Sequence, residues 1–304
     1  MGDNLSPPAV EDRKSKNDHP DWTIGGLLNW TAQYLLKKGS EFPRLDTEVL
    51  LAHVLRCRRI DLYARYEEKA DEAVRQRFRE LIQRRVEGCP VAYLVGRKEF
   101  FSLEFEVNPA VLIPRPDTET VVVECLRLAK GMASPEIIDI GTGSGCIAVA
   151  VAKQLSTARV TAVDLSADAL AVALGNAAKH GVAERVEFLQ GDLFAPVAAG
   201  RQFDFVLSNP PYIATADLPG LPRGVRDYEP RLALDGGLGG FVAFDRLIVA
   251  ASAYLKPGGY LVVEIGAPQE KPARERIAAH GGYDLVETVH DYSGHPRVLL
   301  APQR

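Results

Sequence analysis

Asn209, Pro210, Pro211 and Tyr212 close a short apolar run, FDFVLS, that reads as a strand buried in a parallel sheet. Two prolines in succession remove two backbone donors and stop the strand abruptly. What remains is a stiff rim carrying a carboxamide oxygen at Asn209, a backbone carbonyl at Pro210 and an aromatic ring at Tyr212. Two acceptors set side by side suit a planar nitrogen with two hydrogens, such as a side-chain amide or an exocyclic base amine. Held by its hydrogens, that nitrogen aims a weak lone pair at an electrophile, and orientation is the main help so poor a nucleophile can receive. The same four residues also suit a plain strand-ending turn, because Asn-Pro initiates turns.

The stretch 136–145, EIIDIGTGSG, supplies a second piece of chemistry. A buried strand runs into a glycine-rich turn and then an apolar helix from Cys146, the start of a βαβ unit. Gly141, Thr142, Gly143, Ser144 and Gly145 form this turn. Its G-x-G-x-G spacing departs from the dinucleotide fingerprint at Cys146, which disfavours a nicotinamide cofactor. The next strand ends at Asp164, where a carboxylate can accept from both hydroxyls of a ribose; capping the helix that follows Ser166 is the other use for it. A third strand leads to Asp192 and Leu193. There the acid can accept from an adenine amine, while Leu193 or Phe194 covers the ring. All of these residues fall at the carboxyl ends of parallel strands, where open α/β sheets bind ligands.

The elements that must position them follow from the rest of the chain. Residues 1–20 mix acids and bases without an apolar core and read as a disordered tail. Residues 21–90 read as a helical bundle. Leu27, Leu28, Ala32, Leu35 and Leu36 line its first helix, Leu45, Val49, Ala52 and Leu55 its second, and Val74, Phe78, Leu81, Ile82 and Val86 its third. Between positions 56 and 98, twelve Lys/Arg face seven Asp/Glu, which suits either a solvated face or a docking surface. Residues 91–116 read as a β-hairpin and linker, with Asp117 or Thr118 capping a helix from Glu119. Residues 117–304 read as five αβ units closed by an antiparallel hairpin. The stretch 213–240 is too long for a bare connection and suits a lid or substrate-binding loop.

The 304 residues carry a formal net charge of −4, which argues against bare nucleic acid as the main partner. Four scattered cysteines without C-x-x-C spacing read as reduced thiols, and the histidines lack metal-ligand spacing. No run is long enough to cross a membrane. These features together point to the cytoplasm.

Taken together, PRLDTEVLLAHVL, LIPRPDTE, IIDIGTGSGCIA, AVDLSADAL, FDFVLSNPPYI, DYEPRLALDGG and DYSGHPRVLL resemble the PrmC/HemK family of protein-(glutamine-N5) methyltransferases. The resemblance implies a Rossmann-like class I S-adenosylmethionine-dependent methyltransferase domain, α/β, with a seven-stranded sheet, preceded by a small helical partner-binding domain. It implies S-adenosyl-L-methionine as donor and the GGQ glutamine of class-I peptide chain release factors as acceptor, with a monomeric enzyme. Carried over, Gly141–Gly145 hold the methionine part, Asp164 the ribose, and Asp192 and Leu193 the adenine. Asn209 and Pro210 accept from the glutamine amide, and Tyr212 packs on it. No His, Lys or Cys adjoins NPPY, so the methyl is expected to pass in line without a metal or a general base. The rival readings are an amino-methyltransferase acting on adenine N6 or guanine N2, and a non-catalytic nucleoside-binding protein.

Overall fold

A computed structural model describes residues 22–284, 286–291 and 293–304; the tail expected over 1–20 lies outside them. The chain divides into two compact units, the first ending at Glu87 and the second spanning Gly88–Arg304.

The first unit is helical: α1 (Ile24–Lys37), α2 (Pro43–Leu55), α3 (Asp61–Ala64) and α4 (Glu72–Val86). Side-chain oxygens cap two of these helices, Thr23 accepting from the Gly26 amide and Asp71 from the Val74 amide. The apolar stripe expected on α2 is only partly the face it buries. Leu45 is exposed, whereas Asp46, Thr47 and Glu48 are buried beside Leu50, Leu51, Ala52 and Val54. On α1 the same holds for Leu36, which is exposed while Thr31 is buried.

Neutralisation explains the inversion. Glu48 accepts from Arg44 Nε at 2.8 Å, from Arg59 Nη2 at 2.9 Å and from the Tyr63 hydroxyl. Asp46 accepts from Ser40 Oγ and Arg85 Nε, both at 2.8 Å. A carboxylate so surrounded can be buried where a bare one cannot. Burial alone would raise the Glu48 carboxyl, but its hydrogen bonds outweigh burial and hold it below the ordinary value. A depressed carboxyl stabilises the fold fully above its unfolded value, and that contribution is lost as pH falls through the folded one. Removing the charge as E48Q should therefore cost about 3 kcal/mol at neutral pH. The urea midpoints of the two proteins should converge on acidification.

The second unit opens with α5 (Val91–Val95) and the antiparallel hairpin β1 (Arg97–Phe100) and β2 (Leu103–Glu106). The linker expected over 91–116 folds as part of this unit. Helix α6 (Glu119–Leu128) follows. The αβ units then run β3 (Glu136–Ile140), α7 (Cys146–Gln154), β4 (Arg159–Asp164), α8 (Ala167–Lys179), β5 (Val186–Gln190) and β6 (Phe203–Ser208). After the short α9 (Arg223–Arg226) come α10 (Val242–Tyr254), β7 (Leu255–Glu264), α11 (Glu270–His280), β8 (Glu287–His290) and β9 (Pro296–Pro302).

Among the described residues seven strands form one sheet in the order β5-β4-β3-β6-β7-β9-β8. The first five are parallel, and β9 is antiparallel to both of its neighbours. Alternate strand residues face opposite ways. Ile137, Leu207, Val262 and Leu300 pack with α6 and α7, while Ile138, Val206, Leu261 and Leu299 pack with α10 and α11. Pro257, Gly258 and Gly259 lie inside β7. A Cβ on Gly259 would stand 2.9 Å from the Asp204 carbonyl oxygen, so only glycine lets the strand continue there.

Chain order reverses beside β3, between β4 on one side and β6 on the other. That is the switch point of a doubly wound sheet, where the carboxyl ends of neighbouring strands part and leave a crevice.

Candidate active site

A cavity of about 460 Å³ opens at those carboxyl ends, within the range of small-molecule sites. Gly141, Thr142, Gly143, Ser144, Asp164, Asp192, Leu193, Asn209, Pro210 and Pro211 all line it. Residues expected from four separate stretches of sequence are thus brought to one cavity.

The glycine turn is held from below. Gly141 and Thr142 amides donate to the Val163 carbonyl at 2.9 and 3.0 Å. Gly143 donates to Asp164 Oδ2 at 2.8 Å, and Ser166 donates to Asp164 Oδ1 at 2.9 Å. Asp164 therefore spends one lone pair on each oxygen to fix its own direction and retains the others for a ligand. It does not cap α8; Ser166 Oγ does so by accepting from Ala169. Gly141 and Gly143 have φ of +76° and +55°, and a Cβ on either would meet only open space. A ligand can thus approach the backbone here without obstruction.

Gly145 departs from expectation. It does not line the cavity; its left-handed backbone (φ +78°) starts α7, and a Cβ would stand 3.2 Å from the Ala173 Cα of α8. Its job is helix packing. Gly145→Ala should destabilise the fold by about 1–3 kcal/mol, from backbone strain and crowding, and leave donor affinity nearly unchanged by calorimetry.

Leu193 lines the cavity in a left-handed backbone conformation (φ +51°), unusual for a residue with a side chain. Phe194 is turned into the core and stacks on Tyr254 with ring centroids 4.5 Å apart. Of the two candidates for covering a ring, Leu193 faces the cavity. Asp192 Oδ2 accepts from Arg246 Nη2 at 2.6 Å, and Arg246 is a further lining residue that sequence reading missed.

On the opposite side stands the NPPY corner. Ser208 Oγ donates to the Ile140 carbonyl at 2.7 Å, tying the end of β6 to the root of the glycine turn. Asn209 Nδ2 donates to Thr118 Oγ1 at 3.0 Å. Thr118 and Asp117 were both candidate helix caps, yet neither caps α6. Thr118 is engaged with Asn209, and Asp117 pairs with Arg297 at 3.0 Å. Tyr212 is not among the lining residues; its carbonyl accepts from Gln269 Nε2 at 3.0 Å, and burial pushes its phenol up to about 12.

Two carboxyls are buried beneath these walls. Asp139 accepts from Thr142 Oγ1 at 2.6 Å and, at 3.3 Å, from the Ala148 amide, while its Oδ1 has no partner among the described residues. Glu264, at the end of β7, is 1% exposed, and its Oε2 has no partner among the described residues. Burial pushes each up to about 7, against hydrogen bonds that pull the other way.

The 213–240 stretch contributes Pro230, Leu232 and Ala233 to the cavity. It is anchored by Glu229, which is buried and accepts from Arg115 Nη2 at 2.5 Å and from the Ile113 amide at 3.1 Å. Arg115 Nη1 in turn donates to the Ile113 carbonyl at 2.8 Å, closing a small ring of hydrogen bonds.

A nucleoside joined to an amino acid fits this donor and acceptor set. The Asp164 carboxylate lines the cavity with lone pairs left over, and the open glycine backbone accepts close approach. Ser144 Oγ is buried against the cavity with no protein partner among the described residues, which leaves it available to a ligand's polar end.

Comparison with known proteins adds independent findings. Residues 26–96 match the PrmC N-terminal domain family and residues 117–219 the methyltransferase small domain family. The chain is 43% identical to a release factor glutamine methyltransferase of Rhodopirellula baltica, over 94% of this chain and 98% of that one. It is 46% identical to another so named from Moorella thermoacetica, over 93% and 99%. Among solved structures it is similar in fold to the human Mettl16 catalytic domain in complex with a MAT2A 3′UTR hairpin. That match has a TM-score of 0.55 and 18% identity, and covers 74% of this chain and 82% of that one. A Thermus thermophilus 16S rRNA N2 G1207 methyltransferase, in complex with AdoMet and guanosine, matches with a TM-score of 0.51 at 17% identity, over 68% and 50%.

Proposed function

This chain belongs to the family of release factor glutamine methyltransferases, and on that footing we propose that it methylates the N5 side-chain amide of the GGQ glutamine in class-I peptide chain release factors, in the cytoplasm, with S-adenosyl-L-methionine as donor. The observation that carries the reading is the direction of the Asn209 carboxamide. Its NH2 end is taken up by Thr118, so the oxygen is the end left to accept from a substrate amide in the shared cavity.

Bound there, S-adenosylmethionine supplies an electrophilic methyl group on a positively charged sulfur. The protein's own residues then have three tasks. Asp164 accepts from the ribose hydroxyls, the Gly141–Gly143 backbone receives the methionine part, and Leu193 covers the adenine. Asn209 Oδ1 and the Pro210 carbonyl accept hydrogen bonds from the two N–H groups of the glutamine amide and fix the direction of its nitrogen lone pair. The S–CH3 bond would break as the N–CH3 bond forms, leaving a neutral thioether, and the nitrogen would give up one proton to solvent. Leu232 and Leu247 add apolar surface to the lining.

The helical unit is proposed to dock the release factor. Trp30, Phe42, Ile60 and Tyr63 are exposed on it and offer apolar side chains to a partner.

The decisive experiment offers labelled donor to a release factor, to tRNA, to rRNA and to DNA separately, and then maps the release-factor label by mass spectrometry. Methyl on the GGQ glutamine alone is the expected result. Label on a nucleic acid, or on another release-factor residue, would refute the proposal.

A further inference from the structure

We propose that Gln269, with the 235–240 turn behind it, clamps the far end of the Asn-Pro-Pro-Tyr corner, making Gln269 a positioning residue for the transfer. The inference rests on the reading of that corner as the grip on the acceptor amide.

A corner that aims a lone pair has to be held at both ends. The near end is tied where Ser208 Oγ donates to the Ile140 carbonyl, beside the pairing of β6 with β3 and β7. Past Ser208 that pairing stops, and other segments hold the far end. Gln269, in the turn between β7 and α11, donates through Nε2 to the Tyr212 carbonyl at 3.0 Å and to the Gly240 carbonyl at 3.3 Å. Its Oε1 accepts from the Gly266 amide at 3.0 Å. All three partners are backbone groups whose roles as donor or acceptor are fixed, so the carboxamide has one way round.

The 235–240 turn bears on the same place. Ile213 donates to the Leu234 carbonyl at 3.1 Å, and Gly236 to the Ile213 carbonyl at 2.8 Å. A Cβ on Gly236 would stand 2.6 Å from the Pro211 carbonyl oxygen, and one on Gly240 would collide with that of Tyr212. Two backbones thus lie against each other, with Gln269 bonded to both. Between Asn209 and Tyr212 the proline rings fix two φ angles. Little torsional slack remains, so fixing the Tyr212 carbonyl also limits where the Pro210 carbonyl points. Gln269 and Tyr212 are not among the cavity-lining residues, so the clamp acts through the corner and not on a ligand.

The bond from Gly266 alone would make Gln269 an ordinary turn-closing residue, whereas the two bonds from Nε2 make the clamp. The test separates them and uses the intact protein. Gln269→Met keeps much of the bulk and removes every bond. Gln269→Glu keeps an oxygen for the Gly266 amide but sets a carboxylate against the two carbonyls. In both, kcat for the release-factor substrate should fall at least about tenfold. Donor Kd should change less than about twofold, a kcat-against-binding split that a merely structural loss would not give. Wild-type kcat in Gln269→Glu would mean that Gln269 only closes its turn, and would overturn the clamp. A joint loss of kcat and donor affinity would overturn it too. Native-state hydrogen exchange needs no acceptor: the Ile213 and Gly236 amides should exchange at least about tenfold faster in Gln269→Met than in wild type. Equal exchange would overturn the clamp even if the proposed acceptor proved wrong. Faster exchange in Gln269→Met, with no methyl transferred to the release factor by wild type, would uphold the clamp and refute the acceptor.

Discussion

Asn209→Ala should lower methyl transfer to the release factor by about 10²–10³-fold or more, while donor affinity stays within a few fold. The asymmetry follows from what the side chain touches. Among the described residues its side-chain hydrogen bond goes to Thr118, and Asp164, the proposed ribose grip, is a separate residue of the lining. Removing the carboxamide takes away an acceptor for the substrate amide and leaves the β6 end in place, because Ser208 and the two prolines hold it independently. Single-turnover kinetics with saturating donor would separate the chemical step from binding. An Asn209→Ala protein turning over at the wild-type rate would show that the amide is oriented by something else.

Asp164→Ala should have its effect on the other side of the reaction, weakening donor binding by about 10²–10³-fold, the loss of two hydrogen bonds to a charged group. Part of that loss is indirect. The carboxylate also receives the Gly143 and Ser166 amides, so its removal frees the glycine turn as well as the ribose contacts. Asp164→Asn offers a finer test, since a carboxamide has one acceptor oxygen and cannot serve both amides and a diol. Its donor Kd should fall between those of wild type and Asp164→Ala. At saturating donor, both variants should recover much of the wild-type rate, which distinguishes them from Asn209→Ala. A wild-type calorimetric Kd for Asp164→Ala would remove this residue from the ribose site.

Much of the site was legible because its chemistry is written in contiguous stretches. A strand followed by glycines, an acid at a strand tip, and Asn-Pro-Pro each carry local backbone instructions, and the doubly wound sheet then collects them at its carboxyl edge. What escaped was partnership over long distances in sequence. Thr118 looked like a helix cap because Thr before Glu usually is one; only the folded sheet brings it to Asn209, 91 residues away. Arg115 and Glu229 are 114 apart and could not have been matched by spacing. Gly145 fell within a glycine-rich turn whose first members open to the cavity, and no count of residues reveals that the last faces α8 instead. On α2 the apolar rule failed because Asp46 and Glu48 find enough donors to be buried, a matter of tertiary geometry.

The ring closed by Ile113, Arg115 and Glu229 has a dynamic consequence. Detaching the 113–115 segment would leave the buried Glu229 side chain without its two hydrogen-bond donors, so the contacts on the two segments must break together. Amides near position 113 and those around 229 should therefore behave as one foldon, with a shared opening free energy in native-state hydrogen exchange.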